Sequence, residues 1–180
     1  MSSIPGPARD VVRAIVRAVD AAASGSDAAA YEDRTAQLAA RPISGRVLGD
    51  VLRSLLEDTH PEGFSSEDIT LLTGRCSRAA TAWLPPERVD AIILVAVLAG
   101  ALGIHEPAIT YEQLDLPHPD TGGCRDPEDT VPVNPPAWPD YAWHAPLLVA
   151  NLLPFAPATL DTYLEATFAE YAREAREEHP

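Results

Sequence analysis

Lysine is absent from this sequence of 180 residues, in which all 13 basic side chains are arginine. The absence excludes a P-loop lysine on a phosphate, a Schiff base with pyridoxal phosphate or a carbonyl substrate, and a lysine general base. Sites like those of class A β-lactamases and protein kinases also need a lysine and are excluded with them. The 27 acidic residues give a net charge of −14, which disfavours a non-specific nucleic-acid coat and binding to an anionic membrane.

Cysteine and long apolar runs are also scarce. Cys76 and Cys124 are the only two cysteines and form no CxxC pair, which is too few for a disulfide framework. The longest uncharged apolar run, residues 91–104, is shorter than the ~20 residues of a membrane span, so it predicts a buried core helix and no membrane partner. Residues 1–10 lack the basic start and apolar stretch of a secretory signal. We therefore expect a cytoplasmic protein with a single helical domain over residues 1–180.

Apolar residues recur every three or four positions along most of the chain, which is the spacing of one helical face. No alternating pattern of useful length indicates a strand, so we predict an all-α bundle of about seven to eight helices. The apolar run makes the sixth of these helices apolar nearly all round, and we expect it to be the central one. The first predicted helix begins after Pro7 and is broken by residues 24–27, and the others cover residues 28–40, 44–59, 65–73, 77–84, 85–105, 144–155 and 159–178.

Proline and acidic residues concentrate between residues 106 and 146. This stretch holds nine of the 18 prolines, and its eight acidic residues against Arg125 alone carry half of the net charge. Such proline density disfavours regular structure, and a loop this long in a compact domain is usually functional or disordered. We predict a long acidic loop over 106–146, held to the helices by Trp138, Tyr141 and Trp143, whose charge suits a basic protein partner.

Residues 68–84, DITLLTGRCSRAATAWL, place a glycine between two short predicted helices. This segment resembles a helix-turn-helix of the phage-repressor (Xre) type. With the apolar helix that follows, up to residue 104, it is similar to antitoxins of the Xre/MbcA/ParS type. The positions that carry the resemblance are Ile69 and Leu72 in the first helix, Gly74 at the turn, and Ala80, Trp83 and Leu84 in the second helix.

The resemblance implies a dimeric DNA-binding regulator or antitoxin without a cofactor, with DNA as the partner through residues 74–84. Ser77, Arg78 and Thr81 would face the major groove, because arginine pairs bidentately with guanine and hydroxyls bond base edges or phosphates. Arg75, directly after the turn glycine, is the fourth candidate. Residues 41–90 are the least acidic part of the chain, as a DNA-binding face requires.

Two alternatives to DNA binding stay open. One is an acidic protein–protein interaction module, of the immunity or anti-factor type, that binds a basic partner without touching DNA. The other is a metal-dependent enzyme that uses the acidic loop, whose side-chain types are those that bind zinc. Because no HExxH, EF-hand or paired CxxC spacing is present, we predict a binding protein with no catalytic or metal site. The loop side chains in question are His105, Asp115, His118, Asp120, Cys124, Asp126, Glu128, Asp129 and His144.

Overall fold

The structure is a computed structural model that describes residues 6–104, residue 114 and residues 133–177. Over these residues the chain forms α-helices and two short 3-10 turns and no strand, which confirms the all-α prediction. The 3-10 turns are Pro86–Arg88 and Leu153–Phe155. The α-helices are α1 (Gly6–Ser24), α2 (Ala28–Ala39), α3 (Ser44–Thr59), α4 (Ser66–Thr81), α5 (Ala91–Leu102), α6 (Trp138–Leu152) and α7 (Leu160–Glu177).

Local side-chain chemistry sets where several helices begin. The carboxylate of Asp27 accepts a hydrogen bond from the backbone N–H of Ala30 at 2.9 Å, which starts α2 as predicted. Ser65 and Asp68 form a capping box at the start of α4, with each side chain accepting from the other's backbone N–H. The Ser65 hydroxyl also donates to the Asp68 carboxylate at 2.6 Å, and this hydrogen bond, with the one from the Ser65 backbone N–H, lowers the pKa of Asp68. A side-chain cap of this kind stabilises a helix by about 1 kcal/mol.

One continuous helix, α4, replaces the two helices predicted at 65–73 and 77–84, so the turn expected at Gly74 does not form. Gly74 lies in the middle of α4 and is not among the positive-φ glycines of the described chain. The buried side chains of α4 keep the spacing of one helical face on both sides of this glycine. Their packing outweighs the ~1 kcal/mol that a glycine costs inside a helix. These buried residues are Ile69, Leu72, Thr73, Cys76 and Ala80.

The apolar helix α5 begins later than predicted. Residues 86–88 form a 3-10 turn, and α5 starts only where the carboxylate of Asp90 accepts a hydrogen bond from Ile92 N at 2.8 Å. Its end is set by Gly103, whose φ of 71° is the left-handed conformation typical of a glycine after a helix. The proline-led start predicted at residue 85 is therefore wrong, because the capping aspartate sets the boundary instead.

The helix α6 begins at Trp138, inside the stretch 106–146 that was predicted to be loop. Pro139 lies in the first turn, where no backbone N–H is needed, and Pro146 is accommodated inside the helix. An interior proline costs about 3 kcal/mol, which the nearly complete burial of residues 142–149 offsets. Of the rest of the predicted loop, residues 133–137 form no regular element, and 105–113 and 115–132 lie outside the described residues.

The centre of the bundle is α6 and not α5 as predicted. It packs against every helix from α1 to α5, whereas α5 packs against α3, α4 and α6. Ala142 and Ala145 are fully buried, and their small side chains let neighbouring helices approach closely. Leu148, Val149 and Leu152 continue the buried surface of α6 into the core. The walls of any site formed by several helices therefore depend on α6.

The last helix, α7, lies at the edge of the bundle. It packs against α3 through Tyr163 and Leu164, and the Tyr163 hydroxyl donates to the Asp58 carboxylate at 2.6 Å. In the part of the chain that the structure describes, no single helix has both the length and the apolar composition needed to cross a bilayer. The segments Trp138–Phe155 and Leu160–Glu177 reach that limit only together, across a bend of 113°. The dimer that the resemblance implies stays a prediction.

Replacing Gly74 with alanine tests whether α4 is continuous. In a continuous helix, Gly74→Ala should stabilise the protein by about 0.5–1 kcal/mol, because alanine restricts the unfolded chain and fits helical φ and ψ. The added Cβ would lie 3.3 Å from Nη1 of Arg78, the end of an exposed side chain that can move. Urea unfolding followed by circular dichroism measures the change. Gly103→Ala, at a positive φ, should instead destabilise by about 1 kcal/mol, and a similar loss at Gly74 would contradict the continuous helix.

Candidate functional site

The segment 86–90, which connects α4 to α5, separates two grooves. A groove of about 670 Å³ lies between α4 and the start of α5, and we call it the α4 groove. A second groove, of about 610 Å³, is bounded by α2, the connecting segment and the first turns of α6, and we call it the acidic groove. Glu87 and Asp90 line both. The connecting segment is thus a ridge with a candidate binding surface on each side.

The α4 groove contains Ser77 and Arg78, two of the predicted DNA-reading residues. Arg78 is exposed and Ser77 is half-buried. The Oγ1 of Thr81, the next candidate along α4, donates to the carbonyl of Ser77 at 2.9 Å, so this hydroxyl is used within the helix. These three residues therefore lie on one side of α4, in or beside a groove.

Arg75, the fourth candidate, does not line the α4 groove. Successive helix residues are rotated by about 100°, so Arg75 and Ser77 face nearly opposite directions. The Nε of Arg75 donates to Asn151 Oδ1 at 2.6 Å, and its Cζ lies 4.5 Å from the ring centroid of Phe155. The structure thus brings three of the four candidates together and places Arg75 against α6 and the turn that follows it. Their contact with DNA stays a prediction.

Acidic side chains dominate the rim of the acidic groove. Glu32 comes from α2, Glu87 and Asp90 from the connecting segment, and Asp140 from the first turn of α6. All four are exposed, and Arg88 is the one basic side chain among the residues that line this groove. Low-dielectric walls around like charges focus the field, so the groove attracts cations.

Beneath the rim, the floor includes His144, which is buried and fully hydrogen-bonded. Its Nε2 accepts from the backbone N–H of Asp90 at 3.1 Å, so the proton lies on Nδ1, which donates to the carbonyl of Asp140 at 2.8 Å. Burial lowers the pKa of His144, which keeps the ring neutral. The ring therefore fixes the walls of the groove and has no free nitrogen for a metal or a substrate.

Trp143 lies beside His144 and forms the aromatic part of the same floor. Its ring meets Tyr31 edge to face at a centroid distance of 5.0 Å, and the Tyr31 hydroxyl donates to the Trp143 carbonyl. The Cζ of Arg88 lies 4.2 Å from the Trp143 ring centroid, and Nη2 of Arg88 is 3.6 Å from Oε1 of Glu32. The Nε1 of Trp143 is buried and has no hydrogen-bond partner among the described residues. The indole is thus held firmly on one side and covered by an arginine on the other.

The three aromatic residues predicted to hold the loop do not form one cluster. Trp138 stacks on Tyr141 at a centroid distance of 5.9 Å and donates from Nε1 to the carbonyl of Ala39 at 2.6 Å, away from Trp143. A Cβ at Gly45 would come 2.8 Å from the Trp138 ring, so the glycine permits this close approach. Only Trp143 contributes to the acidic groove.

Residues 6–104, 114 and 133–177 contain neither a cluster of metal ligands nor a reactive cysteine. No group of three histidine, cysteine or acidic side chains in these ranges could hold a metal ion. The other loop residues considered as ligands lie outside the described residues, and His144 is already satisfied. Burial raises the pKa of Cys76 to about 12, so this thiol stays protonated and is a poor nucleophile at neutral pH.

Comparison of the chain with protein-family models, curated proteins and solved structures finds no match in any of the three.

The acidic groove was not predicted from the sequence, since its carboxylates lie at positions 32, 87, 90 and 140 and share no motif. The groove is therefore a product of the fold.

The buried histidine makes stability depend on pH. Because burial lowers the folded-state pKa of His144 below its ordinary 6.5, the unfolded chain takes up this proton first as the pH falls. The stability that the buried, neutral His144 contributes is therefore complete above about pH 6.5 and is lost as the pH falls below this value. We expect the free energy of unfolding to fall less between about pH 7.5 and about pH 5.5 in His144→Gln than in the wild type, as measured by urea titration. Equal losses in both proteins would refute this role.

Proposed function

We propose that this chain is a helical protein-binding module that engages a basic segment of its partner through the acidic groove. The observation that supports it is the set of four carboxylates around a groove whose one arginine is already paired and stacked. This is the acidic interaction module considered among the alternatives, except that the proposed contact is the acidic groove and not the predicted loop 106–146, of whose described residues Asp140 is the one acidic residue that lines the groove.

Charge on two scales favours a basic partner. Within the groove, four carboxylates face one guanidinium, and their exposure leaves them accessible to a ligand. Over the whole chain, the net charge of −14 attracts a basic protein from a distance and speeds its association. Salt screens such attraction within about 10 Å, so binding through this groove should weaken as ionic strength rises.

The floor of the groove adds contacts that charge alone does not provide. Ile93, Ala36 and Trp143 present apolar surface below the acidic rim. Arginine and lysine carry long apolar stems below their charged ends, and such stems pack on apolar surface while the charge reaches the rim. A volume of about 610 Å³ lies within the range of ordinary ligand pockets, which is room for a few side chains of a peptide.

Two pairs of substitutions separate groove binding from general attraction. The probe is a fluorescein-labelled peptide of alternating arginine, glycine and serine, followed by fluorescence anisotropy. We expect Glu87→Gln with Asp140→Asn to weaken binding at least about tenfold, because both carboxylates line the groove. The matched control, Glu57→Gln with Asp161→Asn, removes the same charge from exposed sites and should keep the affinity within about twofold. Equal losses in both variants would overturn the proposal.

DNA binding through α4 is the second candidate, favoured by the exposure of Arg78 beside Ser77 in the α4 groove. Against it, the turn of the resemblance is missing and Arg75 is engaged with Asn151. We expect no salt-dependent binding of the wild type to an enriched pool of double-stranded DNA, measured by anisotropy at two salt concentrations. Salt-dependent binding that Arg78→Ala weakens would instead assign α4 to DNA.

A further inference from the structure

We propose that the acidic groove contains a guanidinium subsite, formed by the ring face of Trp143 and the carboxylate of Glu32. Arg88 occupies this subsite in the free protein, and an arginine side chain of the basic partner takes its place on binding. The inference rests on the proposed function and makes it more specific, since it names arginine rather than lysine as the recognised group.

The geometry of the subsite suits a flat cation. The Cζ of Arg88 lies 4.2 Å from the centroid of the Trp143 ring, well within the ~6 Å reach of a cation–π contact. The same guanidinium places Nη2 3.6 Å from Oε1 of Glu32. A guanidinium can stack on a ring and direct its edge at a carboxylate at the same time, whereas a lysine ammonium has no flat face to stack. The two walls therefore select for arginine.

The Trp143 ring is already held in position in the free protein. Trp143 is only 9% exposed, and Tyr31 supports it through the edge-to-face contact and the hydrogen bond to its carbonyl. Tyr31 is itself fully buried, so the ring is held in place. Binding at a rigid surface avoids much of the ordering cost that weakens flexible sites.

Arg88 is held more loosely than Arg53 and Arg75, which makes it replaceable. Arg53 donates from Nε to the carbonyl of Ala101 at 2.8 Å, and Arg75 donates to Asn151 at 2.6 Å. The side chain of Arg88 makes its ion pair with Glu32 beyond hydrogen-bond distance, and its side chain is 48% exposed. Exposed ion pairs contribute little to stability, so exchanging this arginine for another costs the fold little.

The test compares two labelled peptides, one with arginine and one with lysine at the same positions. If Arg88 competes for the subsite, Arg88→Ala should bind the arginine peptide about tenfold more tightly and the lysine peptide at most about twofold more tightly. The control Arg34→Ala removes the same charge from α2, where Arg34 pairs with Asp33 at 3.4 Å, and should raise both affinities equally and slightly. Urea unfolding of each variant confirms that the fold is kept.

Three results would overturn the subsite. These are weaker binding of the arginine peptide by Arg88→Ala, an unchanged affinity, or an equal gain for both peptides like that of Arg34→Ala. Failure of the proposed function is distinct, because in that case the groove variant Glu87→Gln with Asp140→Asn would lose no more affinity than its control.

As a second measurement, N-acetylarginine amide should shift the indole N–H resonance of Trp143 in Arg88→Ala more than in the wild type. Equal shifts in the two proteins would also count against competition.

Discussion

The hydrogen bond between the backbone N–H of Asp90 and Nε2 of His144 joins the beginning of α5 to α6. Asp90 also caps α5 with its side chain, and His144 also bonds the carbonyl of Asp140 one turn earlier. A single neutral ring therefore fixes the positions of two backbone groups beside the acidic groove, the N–H of Asp90 and the carbonyl of Asp140. Since α6 packs against all five preceding helices, this link ties the groove to the core, and the rim carboxylates are carried on a rigid frame.

Most of the fold could be predicted from local patterns. The helix α3 begins and ends at the predicted residues because Val47, Leu48, Val51 and Leu52 mark one face without interruption. Gly74 misled the interpretation of α4, since a glycine suggests a turn although the buried spacing continues across it. The proline-rich stretch 106–146 misled in the same way, since α6 begins at residue 138 and not at the predicted 144; a proline breaks an isolated helix more readily than one packed on every side.

The candidate site could not be predicted in the same manner. Its acidic residues belong to α2, to a short connection and to α6, and only the packing of α6 against α2 brings Glu32 near Asp140. The composition predicts a negatively charged protein but does not show where the acidic residues come together. His144 appeared from the sequence to be a metal-ligand candidate, and only its two backbone hydrogen bonds show that it serves the framework. Long-range contacts of this kind leave no periodic trace in a sequence.

A chain whose cations are all arginine uses them repeatedly against aromatic rings. Arg46 lies over Tyr171, Arg75 over Phe155 and Arg88 over Trp143, with Cζ between 4.2 and 4.6 Å from each centroid. Guanidinium groups lose their hydration more easily than ammonium groups, so they cover partly exposed rings well. Each of these stacks shields an aromatic surface that would otherwise face water.

The ridge of residues 86–90 has a consequence for how the two grooves behave together. Glu87 and Asp90 line both, so a ligand that draws on either carboxylate from one side changes the potential felt on the other. Occupancy of the two grooves is then coupled thermodynamically, and the coupling must be equal in both directions. A ligand that uses Glu87 or Asp90 in one groove therefore changes the affinity of the other groove for its own ligand.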